Sequence, residues 1–118
     1  ENFYEKRGEI YYELGSNKPH SGSFETVWAN GEPMVVTQLK NGKFHGECKI
    51  FWDNGQLSQT IYFNNGVAFG LNIGYWKDGK IWFKNHLKNN EFHGLCELYD
   101  ERGALVERVH YIDGCIVN

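Results

Sequence analysis

Histidine and cysteine are the residue types of this 118-residue chain best suited to bind a metal or attack a substrate. The five histidines and three cysteines are His20, His45, His86, His93, His110, Cys48, Cys96 and Cys115. A zinc site needs several such side chains within a few ångströms of one another, and a nucleophilic cysteine needs a histidine beside it. The elements that carry these residues therefore decide whether either chemistry is available.

The glycines reveal how the chain is organised. Eleven of the 14 fall into three columns with a spacing of 24 residues. The columns are Gly22, Gly46, Gly70 and Gly94; Gly31, Gly55, Gly79 and Gly103; and Gly42, Gly66, Asn90 and Gly114. Asparagine tolerates a left-handed backbone better than most residues. Its presence at position 90 therefore indicates that the last column consists of positions with a left-handed backbone. We predict one domain over 1–118, with repeats at 22–45, 46–69, 70–93 and 94–117 after a partial repeat at 1–21.

Each repeat has the pattern of a β-hairpin. Pairs such as Asn30-Gly31 and Asn65-Gly66 separate runs of alternating apolar and polar residues, and such pairs favour type I′ turns with φ > 0 at both residues. Eight turns imply about nine strands, and no stretch has helical periodicity. The predicted fold is all-β: a single elongated, twisted antiparallel sheet of consecutive hairpins, each burying one face against its neighbours.

The alternation assigns one face of this sheet to the interior. The residues predicted to point inward are Phe24, Thr26, Trp28, Leu39, Cys48, Ile50, Trp52, Leu57, Ile61, Phe63, Asn72, Gly74, Trp76, Ile81, Phe83, Leu87, Cys96, Leu98, Asp100, Leu105, Val109 and Tyr111. The outward face carries one column of Val27, Phe51, Tyr75 and Tyr99 and another of Gln38, Tyr62, His86 and His110. We assign Trp82 to the outward face as well, with the interleaved charges of Glu25, Lys49, Lys84, Glu97, Glu107 and Arg108.

The repeat spacing argues against reactive histidines and cysteines. His45 and His93, like Cys48 and Cys96, lie two repeats apart, which is about 19 Å at the spacing of β-strands. That distance is too long for a shared metal or a disulfide. We therefore expect no metal site, no cofactor and no catalytic residue. We expect His45 and His93 to stabilise turns, and the unpaired thiols indicate a reducing, cytoplasmic compartment.

The charge balance narrows the class of partner. Twelve basic and 15 acidic residues give a net charge of −3, whereas proteins that bind nucleic acid usually carry a basic stripe. The basic residues are scattered, which argues against binding to anionic lipid. No apolar run approaches the ~20 residues of a membrane-spanning helix.

Two segments resemble a known repeat. The stretch from Gly46 to Leu57, followed by Tyr62 to Gly70, is similar to the variant form of the MORN (membrane occupation and recognition nexus) repeat. The stretch from Gly8 to Gly22 resembles the irregular first repeat of bacterial members. The resemblance implies a β-hairpin roll and, in function, an antitoxin or immunity protein that neutralises a cognate toxin domain by direct binding. The alternatives are a membrane-surface or scaffolding module and an accessory domain of a larger protein.

A contiguous aromatic patch on the outward face suits a protein interface. We predict a non-catalytic, protein-binding role with partner contacts from Phe51, Tyr62, Tyr75, Trp82, His86, Tyr99, Arg108 and His110. The alternative is that these side chains pair across strands and only stabilise the sheet. The oligomeric state stays open, because exposed edge strands could pair with another copy.

Overall fold

Every regular element of the computed structural model, which describes residues 4–117, is a β-strand. The strands are β1 (Tyr4–Arg7), β2 (Ile10–Glu13), β3 (Gly22–Val27), β4 (Pro33–Lys40), β5 (Lys43–Phe44), β6 (Gly46–Phe51), β7 (Leu57–Asn64), β8 (Val67–Tyr75), β9 (Ile81–Lys88), β10 (Glu91–Phe92), β11 (Gly94–Tyr99), β12 (Leu105–Ile112) and β13 (Cys115–Val117). This confirms the predicted all-β fold of consecutive antiparallel hairpins.

One large sheet contains almost all of these strands. Its nine main strands follow the order β13-β12-β11-β9-β8-β7-β6-β4-β3, so neighbours in space are neighbours along the chain. The short strands β5 and β10 pair with β4 and β9. The molecule is accordingly elongated, at 49 × 33 × 18 Å. One feature differs from the prediction of a single sheet: β1 and β2 pair with each other in a separate two-stranded sheet.

The hairpin turns are of two kinds, and the prediction of type I′ geometry is right for one. In the turns at 41–42, 65–66, 89–90 and 113–114 both residues have positive φ, as type I′ requires. At 30–31, 54–55, 78–79 and 102–103 only the glycine is left-handed, with φ between 87° and 94°.

The second kind of turn is closed by a side chain. The Gly31 N–H donates to the Trp28 carbonyl at 2.9 Å, and Asn30 Oδ1 accepts the Glu32 N–H at 3.0 Å. This is the pattern of a hairpin loop that ends in a left-handed glycine and a bulge. The prediction of type I′ was wrong here because the asparagine bonds to the backbone two residues on.

A bulged residue follows each of these loops. Gly74 pairs with Phe83 and Tyr75 with Ile81, which leaves Trp82 without a residue opposite it. The same shift leaves out Met34, Ser58 and Val106 in the other repeats. A bulge redirects a side chain relative to the simple alternation of a strand.

The predicted inner face is confirmed at the centre of the sheet and wrong at its loop edge. Phe24, Cys48, Asn72 and Cys96, at one position of successive repeats, are only 2–7% exposed. Leu57, Ile81 and Leu105 were predicted to point inward, yet they pair with the outward residues Phe51, Tyr75 and Tyr99. The bulge explains this correction, because directly paired residues share a face. Leu105 is 45% exposed.

The β1–β2 hairpin covers the inner face at its N-terminal end. The rings of Tyr4 and Tyr11 lie 4.8 and 4.7 Å from that of Phe24, which is 3% exposed. The Tyr11 N–H donates to the Gly42 carbonyl at 2.9 Å. Gly42 lies so close to β2 that any side chain there would overlap Ile10 and the Tyr11 backbone.

Two inward threonines provide a test of the packing. The hydroxyl oxygen of Thr26 is buried without a hydrogen-bond partner among the described residues, whereas the Thr37 hydroxyl donates to the Glu47 carbonyl at 3.0 Å. We expect Thr26→Val to leave the free energy of unfolding unchanged or raise it by up to about 1 kcal/mol, because it removes an unsatisfied polar group. Thr37→Val should lower it by about 1 kcal/mol. Urea denaturation measures both, and a larger loss for Thr26→Val would contradict this account.

Candidate functional site

Three tryptophans at the loop edge of the inner face link successive repeats. Trp28, Trp52 and Trp76 occupy equivalent positions, and each indole N–H donates to a backbone carbonyl of the next repeat. The acceptors are the carbonyl oxygens of Phe51, Tyr75 and Asp100, at 3.1, 3.0 and 3.1 Å. We call these three residues the tryptophan ladder. Its bonds hold the indole rings in fixed positions along one edge of the sheet.

The bulged Trp82 stacks on this ladder. Its ring centroid lies 4.4 Å from that of Trp76 and 6.4 Å from that of Trp52, with interplanar angles of 20° and 19°. We call Trp52, Trp82 and Trp76 the indole stack. The prediction that Trp82 belongs to the outward aromatic columns was therefore wrong, because the bulge turns its side chain towards the ladder.

The tryptophan ladder ends at Trp76. At the next equivalent positions, Asp100 replaces a ladder tryptophan and Val106 replaces Trp82. A cavity of ≈ 400 Å³ opens there, and Val106 at its wall is 60% exposed. Its lining is Trp76, Trp82, Leu98, Tyr99, Asp100, Glu101, Arg102 and Val106. We call this cavity the Trp76 slot.

A second cavity continues the slot across the inner face. It measures ≈ 240 Å³ and shares Trp82 and Leu98 with the slot. Its other lining residues are Phe83, Asn85, Phe92, Cys96, Glu97, Glu107, Val109 and Tyr111. We call the two cavities together the C-terminal groove. The β1–β2 hairpin covers the opposite end of the inner face, but no described element covers this groove.

The charges at the groove are mostly acidic. Glu107 was expected on the outward face, but it pairs with the inward Leu98, in the same alternation that places Val109 opposite Cys96. Glu107, Asp100 and Glu101 line the groove against a single cation, Arg102. Within residues 4–117, no salt bridge involves Glu101, Arg102 or Glu107. The groove therefore combines apolar walls with an excess of carboxylates at its rim.

On the outward face, the other residues that were predicted to contact a partner form two sets. Phe51, Tyr75 and Tyr99 are half-buried near the loop edge. Tyr62, His86 and His110 lie on the other side of a charged row that runs from Lys49 through Lys84 and Glu97 to Arg108. In that row, Arg108 Nη2 lies 2.8 Å from Glu97 Oε2. The structure thus separates the two columns by four residues along each strand, with the charged row midway between them.

Sequence reasoning missed three apolar members of the second set. Phe69 pairs with Tyr62, Leu71 with His86 and Leu95 with His110, and these three are 46%, 39% and 37% exposed. His86 Nδ1 lies 2.7 Å from the Leu95 carbonyl oxygen. We call Tyr62, Phe69, Leu71, His86, Leu95 and His110 the outer patch. The odd numbering of the added residues on β8 and β11 was the available signal, because it places them outward.

The Tyr62 hydroxyl is also engaged within the molecule. It donates to Glu47 Oε2 at 3.1 Å. This hydrogen bond, together with the negative charge of Glu47, raises the pKa of Tyr62. Its phenol therefore stays neutral at physiological pH.

The histidines at the turns have the predicted structural role. His45 Nδ1 accepts the Asn65 N–H at 3.2 Å, and His93 Nδ1 accepts the Asp113 N–H at 3.1 Å. Each bond joins one repeat to the turn of the next. The described part of the chain contains no group of three or more His, Cys, Asp or Glu that could hold a metal ion.

The three thiols differ in exposure, which yields a prediction. Cys48 and Cys96 are buried and Cys115 is exposed, and all three are free. Burial raises the pKa of Cys48 and outweighs the lowering effect of its hydrogen bond with Thr37, so little thiolate forms there at pH 8. We expect an aromatic disulfide reagent at pH 8 to label Cys115 rapidly and the other two only after denaturation. Cys115→Ser should abolish the fast phase; a fast phase from a buried thiol would contradict this assignment.

Comparison with known protein families matches residues 44–65 and 92–113 to the MORN repeat variant. Each matched segment contains one hairpin, β6–β7 or β11–β12, whose strands are joined by a loop with a left-handed glycine, Gly55 or Gly103. No curated protein matches the chain. These two segments are similar to the MORN repeat variant, which favours a protein-binding or membrane-associated repeat module. Residues 4–117 include no helix with the length and apolar character needed to cross a membrane.

Proposed function

We propose that this chain is a non-catalytic binding module that holds a protein partner in the C-terminal groove. The observation that carries the proposal is the asymmetry of the inner face, which β1–β2 covers at one end and which is open at the other. Aromatic and aliphatic side chains with a polar rim are typical of the centre of a protein interface. The match to MORN repeats supports a binding role.

Exposed apolar side chains at the groove support the same conclusion. Val106 lines the groove and Ile116 pairs with the groove residue Tyr111, and the two are 60% and 62% exposed. A concentration of exposed apolar surface usually marks an interaction site. Burial stabilises by about 1.5–3 kcal/mol for each such side chain, and several together can offset the ~4–15 kcal/mol cost of association.

For the partner, we propose a cognate toxin domain that the chain neutralises by covering its surface, as antitoxins and immunity proteins do. This choice rests on the resemblance to bacterial variant-repeat proteins, and the charge of the chain supports it. A net charge of −3 and the carboxylates of the groove complement a basic nuclease-like surface and would speed association with it. Three free thiols support a cytoplasmic location.

The outward face offers a competing contact surface. Phe51, Tyr62, Tyr75, His86, Tyr99, Arg108 and His110 all lie there, and the outer patch adds exposed Phe69, Leu71 and Leu95. We favour the groove because its walls are concave and because two of its carboxylates, those of Glu101 and Glu107, form no salt bridge within residues 4–117. A variant on each face can separate the two surfaces.

The test uses the protein encoded beside this chain in its native genome as the partner. Val106→Asp puts a charge into the groove at a residue that is already 60% exposed, so the fold should persist. We expect it to weaken binding at least tenfold by calorimetry and to abolish rescue from growth arrest. Leu71→Ala combined with Leu95→Ala, in the outer patch, is the matched control and should change the affinity less than about threefold, since these exposed residues line neither cavity of the groove.

The reverse ranking of the two variants would move the interface to the outward face. Absence of binding to the neighbouring protein, together with failure to rescue growth, would reject the antitoxin role. Co-sedimentation with vesicles that contain anionic lipid, and not with neutral vesicles, would favour the membrane-associated alternative.

A further inference from the structure

We propose that the Trp76 slot receives an arginine side chain of the protein partner. This inference rests on the proposed function and specifies the type of one residue through which the partner binds. The slot has a planar aromatic wall, aliphatic walls from Leu98 and Val106, and carboxylates at its rim. Arginine is the side chain that combines a planar group, an apolar stem and a permanent positive charge.

Trp76 forms the planar wall because the tryptophan ladder ends there, with Asp100 at the next equivalent position. Trp82 stacks on Trp76 at 4.4 Å, and no other aromatic ring of the described residues stacks on Trp76. Val106 occupies the position that Trp82 occupies one repeat earlier; it supplies no ring and is 60% exposed. A flat group that enters the slot would therefore continue the indole stack at the position where the chain itself supplies none.

The charge of the slot favours a cation in that position. Asp100 and Glu101 contribute two carboxylates against the single Arg102. Asp100 Oδ1 accepts the Arg102 and Ala104 N–H groups at 2.9 and 3.0 Å, so that carboxylate is held in place by the loop. Arg102 itself makes no cation–π contact with Trp76 in the part of the chain described. The face of an indole is the aromatic surface that attracts cations most strongly.

An arginine held by an aromatic ring and a carboxylate already occurs elsewhere in the molecule. The guanidinium of Arg7 lies 4.3 Å from the centroid of the Tyr12 ring, and its Nη2 is 2.8 Å from Glu5 Oε2. An aromatic face and a carboxylate together hold an arginine there. Within the indole stack itself, the Lys77 ammonium lies 5.6 Å from the Trp52 centroid. The Trp76 slot presents the same two components to a partner.

The probes for the test are single capped amino acids, used with the complete chain. Nα-acetyl-arginine methylamide is compared with its neutral isostere, the citrulline derivative, and with the phenylalanine derivative. Indole N–H resonances are followed by two-dimensional NMR, with Trp28 as an internal control outside the groove. We expect saturable shifts at Trp76 and Trp82 with a dissociation constant on the order of 1–10 mM, as for other fragments of this size. The citrulline derivative should bind at least fivefold more weakly.

Two substitutions test the geometry. Val106→Trp should fill the slot with the chain's own indole and abolish binding of the arginine derivative, whereas Leu105→Trp, on the outward side of the same strand, should not. Glu101→Gln should weaken binding of the arginine derivative severalfold and leave the spectrum otherwise unchanged, because Glu101 is an exposed loop residue.

Three results would overturn the inference: no saturable shift at Trp76, equal binding of the citrulline derivative, or tighter binding of the phenylalanine derivative. If Val106→Asp weakens binding of the whole partner while the arginine derivative fails to bind, the groove is the interface but the occupant of the slot is not arginine. If the arginine derivative binds at Trp76 but Val106→Asp leaves the partner's affinity unchanged, the proposed interface fails instead.

Discussion

The hydrogen bond from a ladder tryptophan to the next repeat is the interaction on which this structure depends most. A sheet of one layer has no second layer to pack against, so each hairpin can bury its inner face only beside its neighbours. The bonds of Trp28, Trp52 and Trp76 hold consecutive hairpins together at the loop edge. At the opposite edge, His45 and His93 bond to the turns that follow them.

The candidate site arises where this pattern of contacts stops. Replacement of a ladder tryptophan by Asp100 keeps the loop closed, because the Asp100 carboxylate accepts two backbone N–H groups. It also removes a large ring from the inner face. Val106, at the position that Trp82 occupies one repeat earlier, supplies no ring either. A repeat that retains its backbone but loses its aromatic side chains leaves an ordered cavity, which is what a rigid binding surface requires.

Much of the fold was predictable, and the errors share one cause. The glycine columns located every hairpin from residue 22 onwards, and the alternation placed Phe24, Cys48 and Cys96 in the interior correctly. The wrong assignments of Trp82, Leu57, Ile81 and Leu105 all lie at or next to the bulges. Strict alternation has no place for an extra residue, so the bulged residue and the residue between it and the loop change face. The 24-residue column of Met34, Ser58, Trp82 and Val106 after each loop was the signal that could have revealed it.

The sequence by itself determined the repeat, the strand order and most of the inner face, because these depend on local turn preferences and on a period of two residues. The tertiary structure alone decided that Trp82 joins Trp52 and Trp76 and that β1–β2 covers one end of the inner face. It also decided that the groove is open at the other end. These features depend on contacts between residues of different repeats, which no local pattern encodes. The surface that can bind a partner is therefore a property of the assembled sheet.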